Sequence, residues 1–216
     1  RIDQTRGEEL TPAAINLFVN SNDYDESPWA LSPNITMTET ATASPVAGKN
    51  AFSLVPDNLA NSQHIYQVIT TDVSGNTYTV SIHAKPFGYT QIFIYVTALG
   101  GTGTTTIGLS LADGTVASPA ASSGDFSSPS ASSEELADGW YCVSFTFTVA
   151  SAGTGLNIST YPRSAVTNLD GNGVDGILIG GHQFESGSAT TDFIPNTTGV
   201  PLGVSATHGP RVPMIL

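Results

Sequence analysis

The sequence predicts an all-β fold, a jelly-roll sandwich of two antiparallel sheets, and three observations carry the prediction. Apolar residues recur at every second position over short segments, the period of a strand with one buried face. Between these segments stand Gly, Asp, Asn and Pro in turn-forming combinations. Helical periodicity is nearly absent: only 133–137, with Glu134 and Glu135, suggests a short turn of helix.

Taken in order, strands are expected at 15–19, 34–38, 51–55 and 64–70. The segment 77–85 alternates Tyr78, Val80, Ile82 and Ala84 with Thr79, Ser81, His83 and Lys85, so one face meets a core and the other meets water or a ligand. The segment 91–99 is apolar on both faces and reads as a central strand, and 104–111 follows it. The segment 141–149 alternates Tyr141, Val143, Phe145, Phe147 and Val149 with Cys142, Ser144, Thr146 and Thr148. Strands at 156–160 and 177–184 complete the set. Turns are placed at Ser74-Gly75-Asn76, Pro86-Phe87-Gly88, Gly100-Gly101-Thr102-Gly103, Asp113-Gly114 and Asp138-Gly139. Many strands with no helices between them argue for a sandwich or barrel.

Three stretches differ. Residues 117–133 are rich in Ser, Ala and Pro, with Phe126 as the one large apolar side chain, and read as a long surface loop. Residues 1–14 read as an entry linker, 15–198 as the sandwich, and 199–216 as an extended tail punctuated by Pro201, Pro210 and Pro213. The apolar end Met214-Ile215-Leu216 calls for a partner surface or a continuation of the chain. With Arg1 in first place and no signal-peptide pattern, a processed product or a piece of a longer protein is expected.

Composition narrows the function. Of 216 residues only 11% are charged, against roughly a quarter in an average domain, so Ser, Thr, Asn and Gly must build the surface. The net charge is −12, and the six Lys and Arg are scattered, with none between Lys85 and Arg163. Nucleic acid and anionic membranes both demand clustered cations, so neither is an expected partner. No run approaches the roughly 18 apolar residues of a membrane span. Cys142 is the only cysteine, which rules out an intrachain disulfide and fits folding in a reducing cytoplasm.

Certain residues carry a family resemblance. The segment from Asn16-Leu17-Phe18 through Ser21-Asn22-Asp23-Tyr24 to Pro28-Trp29 resembles the first strand of the carbohydrate-binding-module-like jelly rolls of bacteriophage tail, tail-fibre and minor virion proteins. Asp138-Gly139-Trp140-Tyr141-Cys142-Val143-Ser144 is similar to that family's Gly-Trp-Tyr-Arg-Val-Ser strand. Gly181-His182-Gln183-Phe184-Glu185-Ser186-Gly187, followed by Thr191-Asp192-Phe193-Ile194-Pro195-Asn196-Thr197, resembles its closing signature. The likeness runs in order across residues 15–198. Cys142 stands where the family often has Arg, and Gly180 where it usually has an aromatic ring, so any ligand stacked on that ring in relatives is in question here.

Candidate sites follow. If strands 77–85 and 91–99 pair, His83 shares a face with Phe93 and Tyr95 and the three form a glycan platform, since sugars stack their C–H faces on aromatic rings. The alternative is that these rings lie beneath the 117–133 loop or a neighbouring subunit. Asp170, Asn172 and Asp175 alternate in a Gly-rich loop, an oxygen-rich arrangement that suits calcium, although Asp-Gly-Asn-Gly is equally a good turn. A second cation reading joins Asp23, Asp25 or Glu26 to Glu185. Trp29 and Trp140 read as packing anchors. For catalysis, the carboxylates fall mainly in turns, no Gly-x-Ser-x-Gly elbow occurs, and the four histidines lack metalloprotease spacing.

The resemblance implies a non-catalytic virion module of a tail fibre, spike or surface decoration, displayed outside the cell that makes it. Its implied partners are other virion proteins or copies of itself, as a trimer, and host-surface carbohydrate. The alternatives are a free-standing or enzyme-appended carbohydrate-binding module and a polysaccharide-degrading tailspike domain.

Overall fold

The computed structural model describes residues 14–58, 63–165, 171–197 and the short strand at 202–203. Twelve strands form the body: β2 (Ala30–Leu31), β3 (Ile35–Ala43), β4 (Asn50–Pro56), β5 (Ile65–Ile69), β6 (Asn76–Phe87), β7 (Gln91–Leu99), β8 (Thr104–Ser110), β9 (Val116–Ser122), β10 (Phe126–Glu135), β11 (Tyr141–Val149), β12 (Gly155–Arg163) and β13 (Gly176–Ser186). They build two six-stranded antiparallel sheets, ordered β10-β11-β6-β13-β4-β3 and β2-β5-β12-β7-β8-β9. The chain changes sheet at β2–β3, β4–β5, β5–β6, β6–β7, β9–β10, β11–β12 and β12–β13, the winding of a jelly roll. A small ribbon pairs β1 (Ile15–Asn16) with β14 (Leu202–Gly203), so part of the expected outgoing tail returns to the body. Residues 1–13 of the expected linker and the rest of the tail, including Met214-Ile215-Leu216, lie outside the described residues.

Period-2 alternation decides which faces meet. Tyr78, Val80, Ile82 and Ala84 of β6 and Val143, Phe145, Phe147 and Val149 of β11 point inward. Across the gap stand Ile92, Ile94 and Val96 of β7, Ile107 and Leu109 of β8, and Leu156 and Ile158 of β12. Phe147 stacks on Phe184 at 6.3 Å and tilts against Phe145 at 5.3 Å. Burial of these side chains is the main stabilising term of such a sandwich. Among the described residues no helix is long and apolar enough to cross a membrane.

Two expectations are corrected. The 117–133 stretch is not a loop: β9 ends the second sheet, the chain turns at Ser123-Gly124-Asp125, and β10 ends the first. Its Ser and Ala side chains are too small to announce a buried face, so alternation was hard to read there. Phe126 anchors the stretch in the core. Pro119 and Pro129 fall at the register breaks of β9 and β10, where an absent N–H does no harm, and both strands are edges. Glu134 and Glu135, read as helical, continue β10 opposite Cys142 and Tyr141. The helical turn lies just beyond, a 3-10 turn at Ala137–Gly139. Ladder hydrogen bonds to β11 outweigh the weak helical preference of two glutamates.

The Gly180-Gly181 pair has a definite consequence. In β13 the pairing with β6 slips between Ile179 and His182. Ile177 and Ile179 face the core before the slip; His182 and Phe184 face inward after it. A bulge inserts one extra residue, and with a period of two this exchanges the faces. Gln183 and Glu185 are thereby turned toward the outer side of the first sheet. The place of the family's aromatic ring at position 180 is filled: a Cβ there would stand 2.4 Å from Ser44 Oγ and 3.2 Å from the Trp140 ring.

Inside, a polar knot ties the first strand to the last. Buried Asn16 donates from Nδ2 to the carbonyls of His182 (3.0 Å) and Ile194 (2.9 Å). Its Oδ1 accepts from the backbone N–H groups of Phe18 (3.0 Å) and Phe184 (3.1 Å). Asn196 Nδ2 donates to the Asn16 carbonyl. Fully buried His182 bonds the Tyr24 hydroxyl through Nδ1 (2.8 Å) and the Thr160 hydroxyl through Nε2 (3.0 Å). Trp29 packs on Phe18, Tyr24 and His182 and donates its indole N–H to the Asn20 carbonyl.

Candidate functional site

The structure does not bring the predicted platform residues together. His83 lies on β6 in the first sheet, whereas Phe93 and Tyr95 lie on β7 in the second. Each points outward, since its neighbours Ile82, Ala84, Ile92 and Ile94 point inward. The expected pairing of β6 with β7 fails because these consecutive strands cross from one sheet to the other. His83 therefore belongs to one outer face and the Phe93–Tyr95 pair to the opposite one.

On the second sheet, Phe93 and Tyr95 join rings that sequence reasoning did not single out. Strand β12 separates β5 from β7 and places Ser159 between Tyr66 and Tyr95, and Tyr161 opposite Phe93. The result is one aromatic strip across three strands, with Tyr66, Phe93 and Tyr95 half-buried and Tyr161 buried among them. Tyr161 is its centre, 4.5 Å from the His64 ring and edge-on to both Phe93 and Tyr95 at 6.4 Å. Phe93 leans over Gly108, where a Cβ would come within 3.0 Å of the ring. The Arg163 guanidinium sits 4.5 Å above Phe93 and 5.4 Å from Tyr161, a cation–π arrangement. Burial pushes its pKa below the ordinary arginine value. Tyr66 and Tyr95 flank the small, buried Ser159 across two strand spacings, about 9.5 Å. Such a surface combines ring faces for C–H stacking with phenol hydroxyls for hydrogen bonding.

The outer face of the first sheet is built otherwise. Glu134, Cys142 and His83 form one row across β10, β11 and β6, and Ser132, Ser144 and Ser81 the next. The loop 187–193 stands beside them as a wall. Buried Glu185 fixes that wall, accepting from the Thr191 N–H (2.9 Å), the Thr191 hydroxyl (2.8 Å) and the Gln183 amide (2.8 Å). Thr190 hydrogen-bonds Ser144 at 2.6 Å, and the Phe193 ring lies 5.6 Å from that of His83. Between wall and sheet is a cleft of about 580 Å³, and a second of about 390 Å³ adjoins it near Trp140; His83 and Leu136 line both. Burial lowers the His83 pKa and raises that of the Cys142 thiol, so both are neutral at neutral pH.

The cation candidates are distributed as follows. Asp170 lies outside the described residues. Asn172 and Asp175 do meet, as a turn closed on itself: Asn172 Oδ1 accepts from the N–H groups of Val174 and Asp175, and its amide donates to Asp175 Oδ2 at 2.7 Å. The side-chain oxygen of Asn172 is thus directed at backbone N–H groups. The Asp175 carboxylate also rests against Gly88, whose φ of +88° and lack of a side chain make room for it. Asp23 pairs with Lys49 at 2.6 Å, and Glu185 is held by Thr191 and Gln183, so these carboxylates answer to separate partners. Among the described residues no three His, Cys, Asp or Glu side chains gather for a metal.

The strip residues missed in the sequence had partial signals. Tyr66 lies within the expected 64–70 strand, and Tyr161 and Arg163 lie just past the expected end at 160. Nothing local says that β12 inserts between β5 and β7.

No protein-family model matches the chain, and no curated protein matches it in sequence. Among solved structures it is similar to the CBM22-1 xylan-binding domain of Paenibacillus barcinonensis Xyn10C, at 12% identity over 83% of this chain and 99% of that one, with a TM-score of 0.48. It is similar to the enzymatically active domain of bacteriophage CBA120 tailspike protein 4, at 14% identity over 80% of this chain, with a TM-score of 0.49. It is also similar to the CBM22-1–GH10 modules of Clostridium thermocellum xylanase 10B, at 12% identity over 80% of this chain, with a TM-score of 0.47. The chain spans 21% of the tailspike structure and 28% of the xylanase structure.

Proposed function

We propose that this chain is a non-catalytic carbohydrate-binding β-sandwich module of a virion, and that the aromatic strip of the second sheet meets host-surface glycan. One observation carries the binding reading: Tyr66, Tyr95 and Phe93 present half-buried rings on one outward face, supported from beneath by buried Tyr161 and Ser159 and with Arg163 over Phe93. Aromatic rings gathered on a solvent face are the surface on which pyranose C–H groups are held in water. The virion assignment rests on the ordered sequence signatures, from Asn16-Leu17-Phe18 to Phe193-Ile194-Pro195, and with it goes assembly with other virion proteins or as a homotrimer. A free-standing or enzyme-appended module is the second reading; proteomics of purified particles separates the two, because only a virion protein copurifies.

The binding claim is tested on a glycan array and by calorimetry. Tyr95→Ala and Tyr66→Ala are each expected to weaken saccharide binding about tenfold, as loss of one stacking ring does, with the circular dichroism of the fold unchanged. Undiminished binding by the double variant would refute the strip as the contact surface.

A further inference from the structure

We propose that the cleft on the outer face of the first sheet is a second saccharide site, selective for neutral sugars, which makes the module two-sided. The proposal is independent of the strip, since the two surfaces lie on opposite faces of the sandwich.

Size and form come first. About 580 Å³ falls within the range of roughly 300–1,000 Å³ typical of small-molecule sites. The smaller space extends it past His83 toward Trp140. The far wall is set before any ligand arrives: Glu185 and Gln183 hold Thr191, and Gln183 Oε1 accepts from the Ile194 N–H at 2.7 Å. A fixed wall spares the ordering entropy that binding would otherwise demand.

Chemistry comes next. Phe193 offers a ring at one side, packed on His83; Gly181 makes that contact feasible, since a Cβ there would stand 3.0 Å from the Phe193 ring and 3.1 Å from His83 Nδ1. Ser132, Ser144 and Thr190 supply hydroxyls, and Glu134 and Asp192 supply carboxylates. His83 Nδ1 is shielded from solvent and has no hydrogen-bond partner among the described residues, so the ring meets the cleft by its other atoms. Carboxylates accept strongly from sugar hydroxyls and repel other anions. Among the described residues no Lys or Arg lines the cleft, so a uronate, sialate or phosphate would meet two acidic groups there and no cation. Neutral pyranoses are the class that remains, stacked on Phe193 with hydroxyls reaching Glu134 and Asp192.

The test titrates the full chain with neutral gluco-, xylo-, manno- and galacto-oligosaccharides and with galacturonate and glucuronate oligomers, followed by calorimetry and amide NMR. At least one neutral oligosaccharide is expected to shift the amides of Cys142, Ser144 and Thr190. Its affinity should fall about tenfold in Phe193→Ala and remain within about twofold in Tyr95→Ala, with uronates bound weakly or not at all at these amides. Glu134→Gln, on an exposed edge strand, provides the same readout should Phe193→Ala fail to fold. If no neutral sugar at millimolar concentration moves those amides, or uronates move them more strongly, the proposal is overturned. Binding that is lost in Tyr95→Ala yet survives Phe193→Ala and Glu134→Gln also overturns it while sustaining the strip; the converse result sustains the cleft and removes the strip.

Discussion

Replacing Asn16 by leucine is expected to lower the unfolding free energy by about 4 kcal/mol, measured as a fall in the urea midpoint at unchanged slope. The side chain of Asn16 satisfies two backbone N–H groups, of Phe18 and Phe184, and two carbonyls, of His182 and Ile194. All lie in the interior, where each unpaired polar group costs about 1–3 kcal/mol. Leucine has the same branched skeleton and makes none of these bonds, so the loss reports hydrogen bonding together with a smaller overpacking cost from its bulkier methyl groups. Partial relaxation keeps the sum below four full penalties. A loss under about 1 kcal/mol would mean that water or other groups take over, and that Asn16 is not what joins the first strand to the 194–196 segment.

The second large effect is on acid stability. Burial, helped by the nearby charge of His83, holds the His182 imidazole at about 3, well below its usual 6.5. Folding therefore favours the neutral ring, whose single N–H and single lone pair suit the hydroxyls of Tyr24 and Thr160. Above pH 6.5 both folded and unfolded chains carry a neutral ring and the full stability is present. As pH falls below 6.5 the unfolded chain takes up a proton that the native chain refuses, and stability declines until about pH 3. At 1.36 kcal/mol per pH unit this amounts to roughly 4–5 kcal/mol. His182→Gln keeps a hydrogen-bonding side chain without titrating, so its stability profile between pH 6.5 and 3 should be flatter by most of that amount. His83, also held low by burial, adds to the decline in the same direction and persists in the variant. Parallel profiles for wild type and variant would contradict the assignment.

Neither of these interior residues stood out as structural in the sequence, although both lie within the recognised segments. Asn16 reads as one polar residue ahead of Leu17-Phe18, and His182 as one of four histidines; only the approach of β13 to the first strand gives them partners. The same holds for the surface. Phe93 and Tyr95 were legible because 91–99 is apolar on both faces and so carries rings on its outer side, but Tyr161 and Arg163 sit past an apparent strand end. Gly180-Gly181 marked the closing strand without revealing that its faces exchange there.

The sequence by itself determined that the chain is all-β, where nearly every long strand begins, and which face of 77–85 and 141–149 enters the core. Those are local properties: a period of two fixes which side chains can be buried together, and turn residues fix where a strand must end. Only the tertiary structure decided which strands are neighbours, and with that it moved His83 away from Phe93 and Tyr95 and gathered Tyr66, Tyr161 and Arg163 around them. Strand order depends on loop crossings and on inter-sheet packing between residues far apart in the chain, and no short-range pattern encodes it.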